Sequence, residues 1–207
     1  MSALRSWLLK PLIKLAIETL VPIKKIVIIG PESTGKSSLC AQLAAHYKTT
    51  WVEEYAREFL LTNGKEYTYE DLLFIAQKQV TLEETELQKF ASVFRPTERR
   101  GLITPVFIDT DMYVMKTWCE FVFKKCHPWI LNQVAERKYD LYLLCNVDVP
   151  WVKDVLREYP DLDTRTKLFH HYKDAMVNQP VPWVEISGSY EQRLSIAIEA
   201  VDKLLAG

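Results

Sequence analysis

The sequence predicts a three-layer α/β domain, a parallel sheet covered by helices on both faces. Two patterns carry that expectation. Short, almost uninterrupted apolar runs recur along the chain, separated by longer stretches of helical character, and this alternation builds parallel sheets. The first run also ends in a glycine just ahead of a helix, where a βα loop of an open sheet lies.

The elements follow in order. Lys25-Ile26-Val27-Ile28-Ile29-Gly30 reads as a buried first strand, and residues 37–47 as a helix with Leu39, Leu43 and His46 on one face. A short second strand over 49–52 leads into the charged stretch Glu53-Glu54-Tyr55-Ala56-Arg57-Glu58. A long helix is expected over 68–94, opened by a capping arrangement at Thr68-Tyr69-Glu70-Asp71. A third strand over 102–108 ends at Asp109, followed by helices over 111–123 and 128–138. A fourth strand over 141–147 ends at Asp148, and the charged segment 150–178 is read as helical. A fifth strand over 182–186 and a helix over 190–205 close the chain. This amounts to five parallel strands in one domain over 25–207.

Bulk properties agree with that size. A chain of 207 residues holds about one domain, and 48% apolar with 12% aromatic residues is ample for a core. Its 26 basic and 27 acidic side chains nearly cancel, so no strongly basic face for nucleic acid is expected. Cys40, Cys119, Cys126 and Cys145 form no CxxC pair or common zinc spacing. Buried thiols in a reducing cytoplasm are the expectation. Residues 1–24 carry a helix-like apolar stripe (Leu8, Leu9, Leu12, Ile13, Leu15, Ala16, Ile17, Leu20) interrupted by Lys10, Pro11, Lys14 and Glu18. Its uncharged stretches fall far short of the roughly 20 residues of a membrane span. An amphipathic extension packed on the domain, or joining copies in a homo-oligomer, is expected; a membrane-surface helix is the alternative.

The chemistry concentrates in Gly30-Pro31-Glu32-Ser33-Thr34-Gly35-Lys36-Ser37, a G-x-x-x-x-G-K-S loop between a strand and a helix. Backbone N–H groups at such a helix start cradle phosphates, the lysine reaches the outer phosphate oxygens, and the serine hydroxyl holds Mg²⁺. ATP with Mg²⁺ is therefore the expected cofactor pair, with Ser38 completing the nucleotide-binding stretch, and the fold is a P-loop NTPase fold. Asp109 and Asp111 end the third strand, where ligands of α/β sheets sit. Either can hold Mg²⁺, with Asp109 assigned to it beside Ser37, or accept the proton of an attacking hydroxyl; a helix N-cap is the alternative for one of them. Glu54, Tyr55 and Arg57 reach the same edge as a substrate clamp or as a surface charge cluster. The 150–178 segment is expected as a lid carrying Arg157 and Arg165 to the transferred phosphoryl group, unless these are solvated helix charges. Ser187-Gly188 follows the fifth strand and either wraps the adenine or forms an ordinary turn. In the helix after the third strand, Asp111, Met115 and Trp118 share a face, so Trp118 either lines the substrate wall, with Tyr55 opposite, or is core.

The ordered set Gly-x-Glu-Ser-x-Gly-Lys-Ser, Glu54-Tyr55-x-Arg57-Glu58, Ile108-Asp109-Thr110-Asp111, His127-Pro128 and Asp154-x-x-Arg157 resembles the ribosylnicotinamide kinase domain of NadR-type proteins. The likeness runs from about Lys25 to the C-terminus. It implies phosphorylation of the ribose 5′-hydroxyl of nicotinamide riboside by ATP. Fuller members of the family also carry an adenylyltransferase domain; the 24 residues before the first strand are too few for one, so only the kinase step is expected here. A kinase for another nucleoside or nucleotide, and a nucleotide-sensing module with little turnover, are the rival readings. No DNA-binding domain is expected.

Overall fold

The computed structural model describes residues 23–93, 103–153 and 156–207. The expected N-terminal extension, with homo-oligomerisation through it, falls almost wholly outside them, as does Asp154. Among the described residues, no helix is long and apolar enough to cross a membrane.

The strands are β1 (Ile23–Ile29), β2 (Trp51–Val52), β3 (Thr104–Asp109), β4 (Leu141–Cys145) and β5 (Trp183–Ile186). The helices are α1 (Lys36–Tyr47), α2 (Tyr55–Asn63), α3 (Tyr69–Val93), α4 (Met112–Phe123), α5 (Pro128–Glu136), α6 (Leu162–Val177) and α7 (Tyr190–Ala206). All strand pairs are parallel, in the order β2-β3-β1-β4-β5. β1 is central because its apolar side chains can be buried on both faces, and the residues along it alternate between two cores. Ile26 and Ile28 pack with Leu39 and Leu43 of α1 and Ala197 and Val201 of α7. Val27 and Ile29 pack on the opposite face with Leu168, Phe169 and Met176 of α6. A third cluster joins α2 to α5 around Phe59, Leu72, Ile75, Met115 and Ile130.

The sheet register places Ile28 beside Asp109 on one side and beside Leu143 on the other. The carboxyl ends of β1, β3 and β4 therefore open on one edge, with the phosphate loop in the middle. That juxtaposition is the structural basis of the site.

Several boundaries differ from the sequence reading. β1 begins at Ile23, so the domain boundary drawn after residue 24 cuts the strand. The stretch after β2 is a helix, α2, which buries Ala56, Phe59 and Leu60 at helical spacing; Glu53 and Glu54 masked that short period. Among the described residues of the 150–178 segment, the helix begins at Leu162. Pro160 disfavours helical backbone at Tyr159, and Asp161 caps the helix by accepting the Thr164 N–H at 2.7 Å. The described residues of the expected lid are thus a strap without helix or strand, followed by a helix.

Gly30 has φ +140, and a Cβ there would lie 2.7 Å from the Cys145 carbonyl oxygen at the end of β4. Only glycine lets the loop leave β1 this close to its neighbour. Gly30→Ala should lower stability by about 3 kcal/mol or more, measured by urea unfolding; a change within about 0.5 kcal/mol would contradict this packing.

Candidate active site

The phosphate loop is shaped by its own backbone. Gly30, Ser33 and Gly35 have positive φ, and the Thr34 hydroxyl donates to the Pro31 carbonyl at 2.8 Å. The loop ends at Gly35, which starts α1 without any side-chain cap. The first-turn N–H groups therefore have no side-chain acceptor, the arrangement that binds an anion at a helix N-terminus. Lys36 Nζ donates to the Pro31 carbonyl at 3.1 Å, folded back over the loop where a phosphate would sit.

Beside the loop lies a cavity of about 230 Å³. It is lined by residues 30–38, Glu54, Arg57 and Leu60 of the β2–α2 region, Trp118 and Phe121 of α4, and Arg157, Glu158 and Tyr159 of the strap. The sequence-derived candidates Glu54, Arg57, Trp118 and Arg157 thus converge with the loop. Glu54 accepts the Thr110 hydroxyl at 3.2 Å. Trp118 is half-buried, donates its indole N–H to the Tyr67 hydroxyl at 2.7 Å, and meets the Tyr67 ring edge-on at 4.9 Å. Tyr67 in turn donates to Glu158 at 3.1 Å. Arg157 donates to the Val152 carbonyl, which bends the strap back on itself.

The two aspartates after β3 part company. Asp111 caps α4: one oxygen accepts the Tyr113 and Val114 N–H groups at 2.9 and 3.3 Å, and the other accepts the Tyr142 hydroxyl at 2.8 Å. It is buried and outside the cavity lining, so its expected catalytic and substrate-binding roles are corrected to a structural one. Asp109 is fully buried, yet neither carboxylate oxygen has a hydrogen-bond partner. Burial, reinforced by the charge of Glu54, pushes its pKa up to about 7, with Lys36 and the nearby Ser37 hydroxyl opposing. An orphaned buried carboxylate beside a lysine and a P-loop serine suits a divalent cation.

Other expectations are corrected too. Tyr55 packs toward Phe74, with ring centroids 6.4 Å apart, and does not line the cavity; its place on the opposite wall is not occupied by it. Arg165 is buried and also outside the cavity lining, donating to the Ser33 carbonyl at 3.4 Å. It is neither a solvated helix charge nor a lining group, because α6 packs that face against the loop. Ser187 and Gly188 likewise stand outside the cavity. The Gly188 N–H donates to Asp148 at 2.6 Å, and Ser189 forms a capping box with Gln192 at the start of α7, so that loop is a helix entry held by the protein itself.

Sequence reasoning missed Arg193. Its buried guanidinium donates to the carbonyls of Gly188 (3.0 Å), Thr34 (3.0 Å) and Asn146 (2.8 Å), and it pairs with Asp148. It also missed Gln79, which reaches from α3 to Glu53, Tyr55 and Asp109 main-chain groups. Each is one polar residue in an ordinary helical pattern, and no local signal marks it.

A family model described as AAA domain matches residues 25–193. The chain belongs to that AAA domain family. Its relatives include the trifunctional NAD biosynthesis/regulator protein NadR of Salmonella typhimurium, 24% identical over 186 residues, and that of Escherichia coli, 24% identical over 187. Each match covers 88% of this chain but 43% of the relative, so the chain spans under half the length of these curated proteins. Among solved structures, NadR protein in complex with NR superposes with a TM-score of 0.71 at 22% identity, over 89% of this chain and 50% of that one. NadR protein in complex with NAD and AMP-PNP gives 0.67 at 21% identity, over 92% and 51%. Thymidylate kinase from Ehrlichia chaffeensis gives 0.59 at 13% identity, over 88% and 99%. The fold of this AAA domain is thus the P-loop NTPase fold that the sequence predicts.

The state of Asp109 generates a pH prediction. An acid whose folded pKa is raised holds its proton in the native state while the unfolded chain has lost it. Stability therefore falls as pH rises from about 4 toward about 7, and is level above. Asp109→Asn removes Asp109's share of that fall. The variant should gain on the wild type by a few kcal/mol, to order of magnitude, at pH 8 relative to pH 4. Thermal unfolding of the ligand-free protein across that range checks this; parallel profiles would contradict it.

Proposed function

We propose that this chain transfers the γ-phosphoryl group of ATP to the 5′-hydroxyl of nicotinamide riboside, forming nicotinamide mononucleotide in cytoplasmic NAD salvage. The observation that carries this reading is one cavity shared by two kinds of group: the bare α1 N-terminus with Lys36, and Trp118, Phe121 and Glu158, an aromatic and acidic set suited to a pyridinium cation. The likeness to NadR proteins, one of them solved with NR and another with an ATP analogue, supports the same assignment. The four cysteines are all free thiols, compatible with a reducing compartment.

In this mechanism Lys36 and the loop amides bind the phosphates and hold them in line with the acceptor. Ser37 and Asp109 are the residues that would hold Mg²⁺, which when bound offsets charge on the phosphate oxygens. With Asp111 committed as a cap and Glu32 bound to the strap N–H groups, Glu54 is the carboxylate that lines the cavity from the β2–α2 edge. It takes the hydroxyl proton as the oxygen–phosphorus bond forms and ADP departs. Arg157 lies on the strap and lines the cavity, from where it stabilises charge on the transferred group; Arg165 holds the loop from α6 through the Ser33 carbonyl, and Arg57 contributes to substrate binding.

ATP consumption against a nucleoside panel that includes nicotinamide riboside tests the substrate. Transfer to that riboside above all others is expected; transfer only to a different nucleoside, or none at all, would defeat the proposal. Lys36→Ala should cut turnover by orders of magnitude while unfolding free energy changes by about 0.5 kcal/mol or less. Retained activity in that variant would remove the loop lysine from the mechanism.

Trp118→Leu probes the aromatic set. A desolvated cation–π contact is worth about 2 kcal/mol, roughly thirtyfold in affinity. The variant should therefore lose far more affinity for nicotinamide riboside than for its reduced, uncharged dihydropyridine form. Calorimetric titration of both ligands decides it, and equal losses would make Trp118 a packing residue.

A further inference from the structure

Glu32 is an anomaly in a phosphate-binding loop. A carboxylate among groups that gather anions weakens their field unless its charge is committed elsewhere. Here it is committed. Its oxygens accept the backbone N–H of Glu158 at 2.9 Å and of Tyr159 at 2.5 Å. The next residue continues the pattern: the Ser33 hydroxyl oxygen accepts the Val152 N–H at 3.0 Å, and the Ser33 carbonyl accepts from Arg165 at 3.4 Å. Two consecutive loop residues therefore hold the strap before and within the stretch that carries Leu156, Arg157, Glu158 and Tyr159 into the cavity, and hold α6 after it. Glu32 also supports the charge of Arg165, which burial alone draws toward a lower pKa.

We propose that Glu32 is a positioning residue, which fixes the strap against the cavity and does not bind the nucleotide. This corrects the expectation that groups it with the nucleotide ligands. The consequence for acceptor binding rests on the phosphoryl-transfer reading; the tie itself does not. Because the N–H groups belong to the main chain, what the strap requires of the loop is a two-oxygen acceptor at this position, whatever side chains the strap carries. A carboxylate supplies it and an amide supplies half, since the second atom of a glutamine would set an NH₂ against a backbone N–H.

Glu32→Ala and Glu32→Gln test this in the full chain. Amide exchange at Glu158 and Tyr159, followed by NMR without ligand, should quicken by about tenfold or more in the alanine variant and less in the glutamine variant. Calorimetry should give a loss of about tenfold or more for nicotinamide riboside in Glu32→Ala, with a non-hydrolysable ATP analogue within about threefold of wild type or tighter. Unchanged amide exchange, or a greater loss for the ATP analogue than for the riboside, would overturn the proposal. If the alanine variant fails to fold, the glutamine variant carries the same comparison. Quickened exchange in a protein whose wild type neither binds nor phosphorylates the riboside would keep the tie and discard the proposed substrate.

Discussion

The arrangement of the site depends on one buried charge. Arg193 is 3% exposed and enters from α7, near the end of the matched family region. A lone guanidinium there would cost several kcal/mol, but this one is satisfied by three carbonyls and a carboxylate from three separate loops. Those loops follow β1, β4 and β5. Each is a connection that would otherwise find its own conformation, and a planar, five-donor group imposes a common geometry on them. The phosphate loop is held from behind by this contact and from the front by the strap, leaving its N–H groups aimed into the cavity.

Electrostatics then divides labour between groups of the same chemistry. Asp109 and Asp111 are two residues apart, both are buried, and both are pushed above the ordinary carboxylate range chiefly by that burial, to about 7 and about 6. Asp111 spends its oxygens on the start of α4 and on Tyr142. Asp109 has no such partners and faces the lysine and serine of the loop. The difference comes from strand geometry: the positive φ of Thr110 turns the chain between them, so that one side chain stays at the sheet edge and the other turns into the helix cap.

The strap side of the cavity is built in a contrasting way. The loop joins a strand to a helix, whereas the described residues between β4 and α6 form neither. The strap is held by side-chain acceptors to main-chain donors, Glu32 and Ser33 above all. Opening a segment held in this way costs a few hydrogen bonds. Trp118, Tyr67 and Glu158 form a hydrogen-bonded line between helix, loop and strap, so this part of the cavity wall draws on all three.

The sequence by itself determined the layers and the phosphate loop, because both are local. A short, β-branched apolar run such as Ile26–Ile29 ending in glycine favours a strand buried on both faces, and G-x-x-x-x-G-K-S has its meaning within eight consecutive residues. Glu54, Arg57 and Trp118 were legible as candidates because strand ends and helical spacing set which edge they face. Tertiary structure alone decided which aspartate is a cap, that Tyr55 turns away and that Arg165 is buried against the loop. It alone revealed the roles of Arg193, Gln79 and Glu32. Each of those outcomes rests on partners far away along the chain, 159 residues in the case of Arg193 and Thr34. Hydrogen bonding across such distances depends on how the elements pack, and no local pattern of residues encodes it.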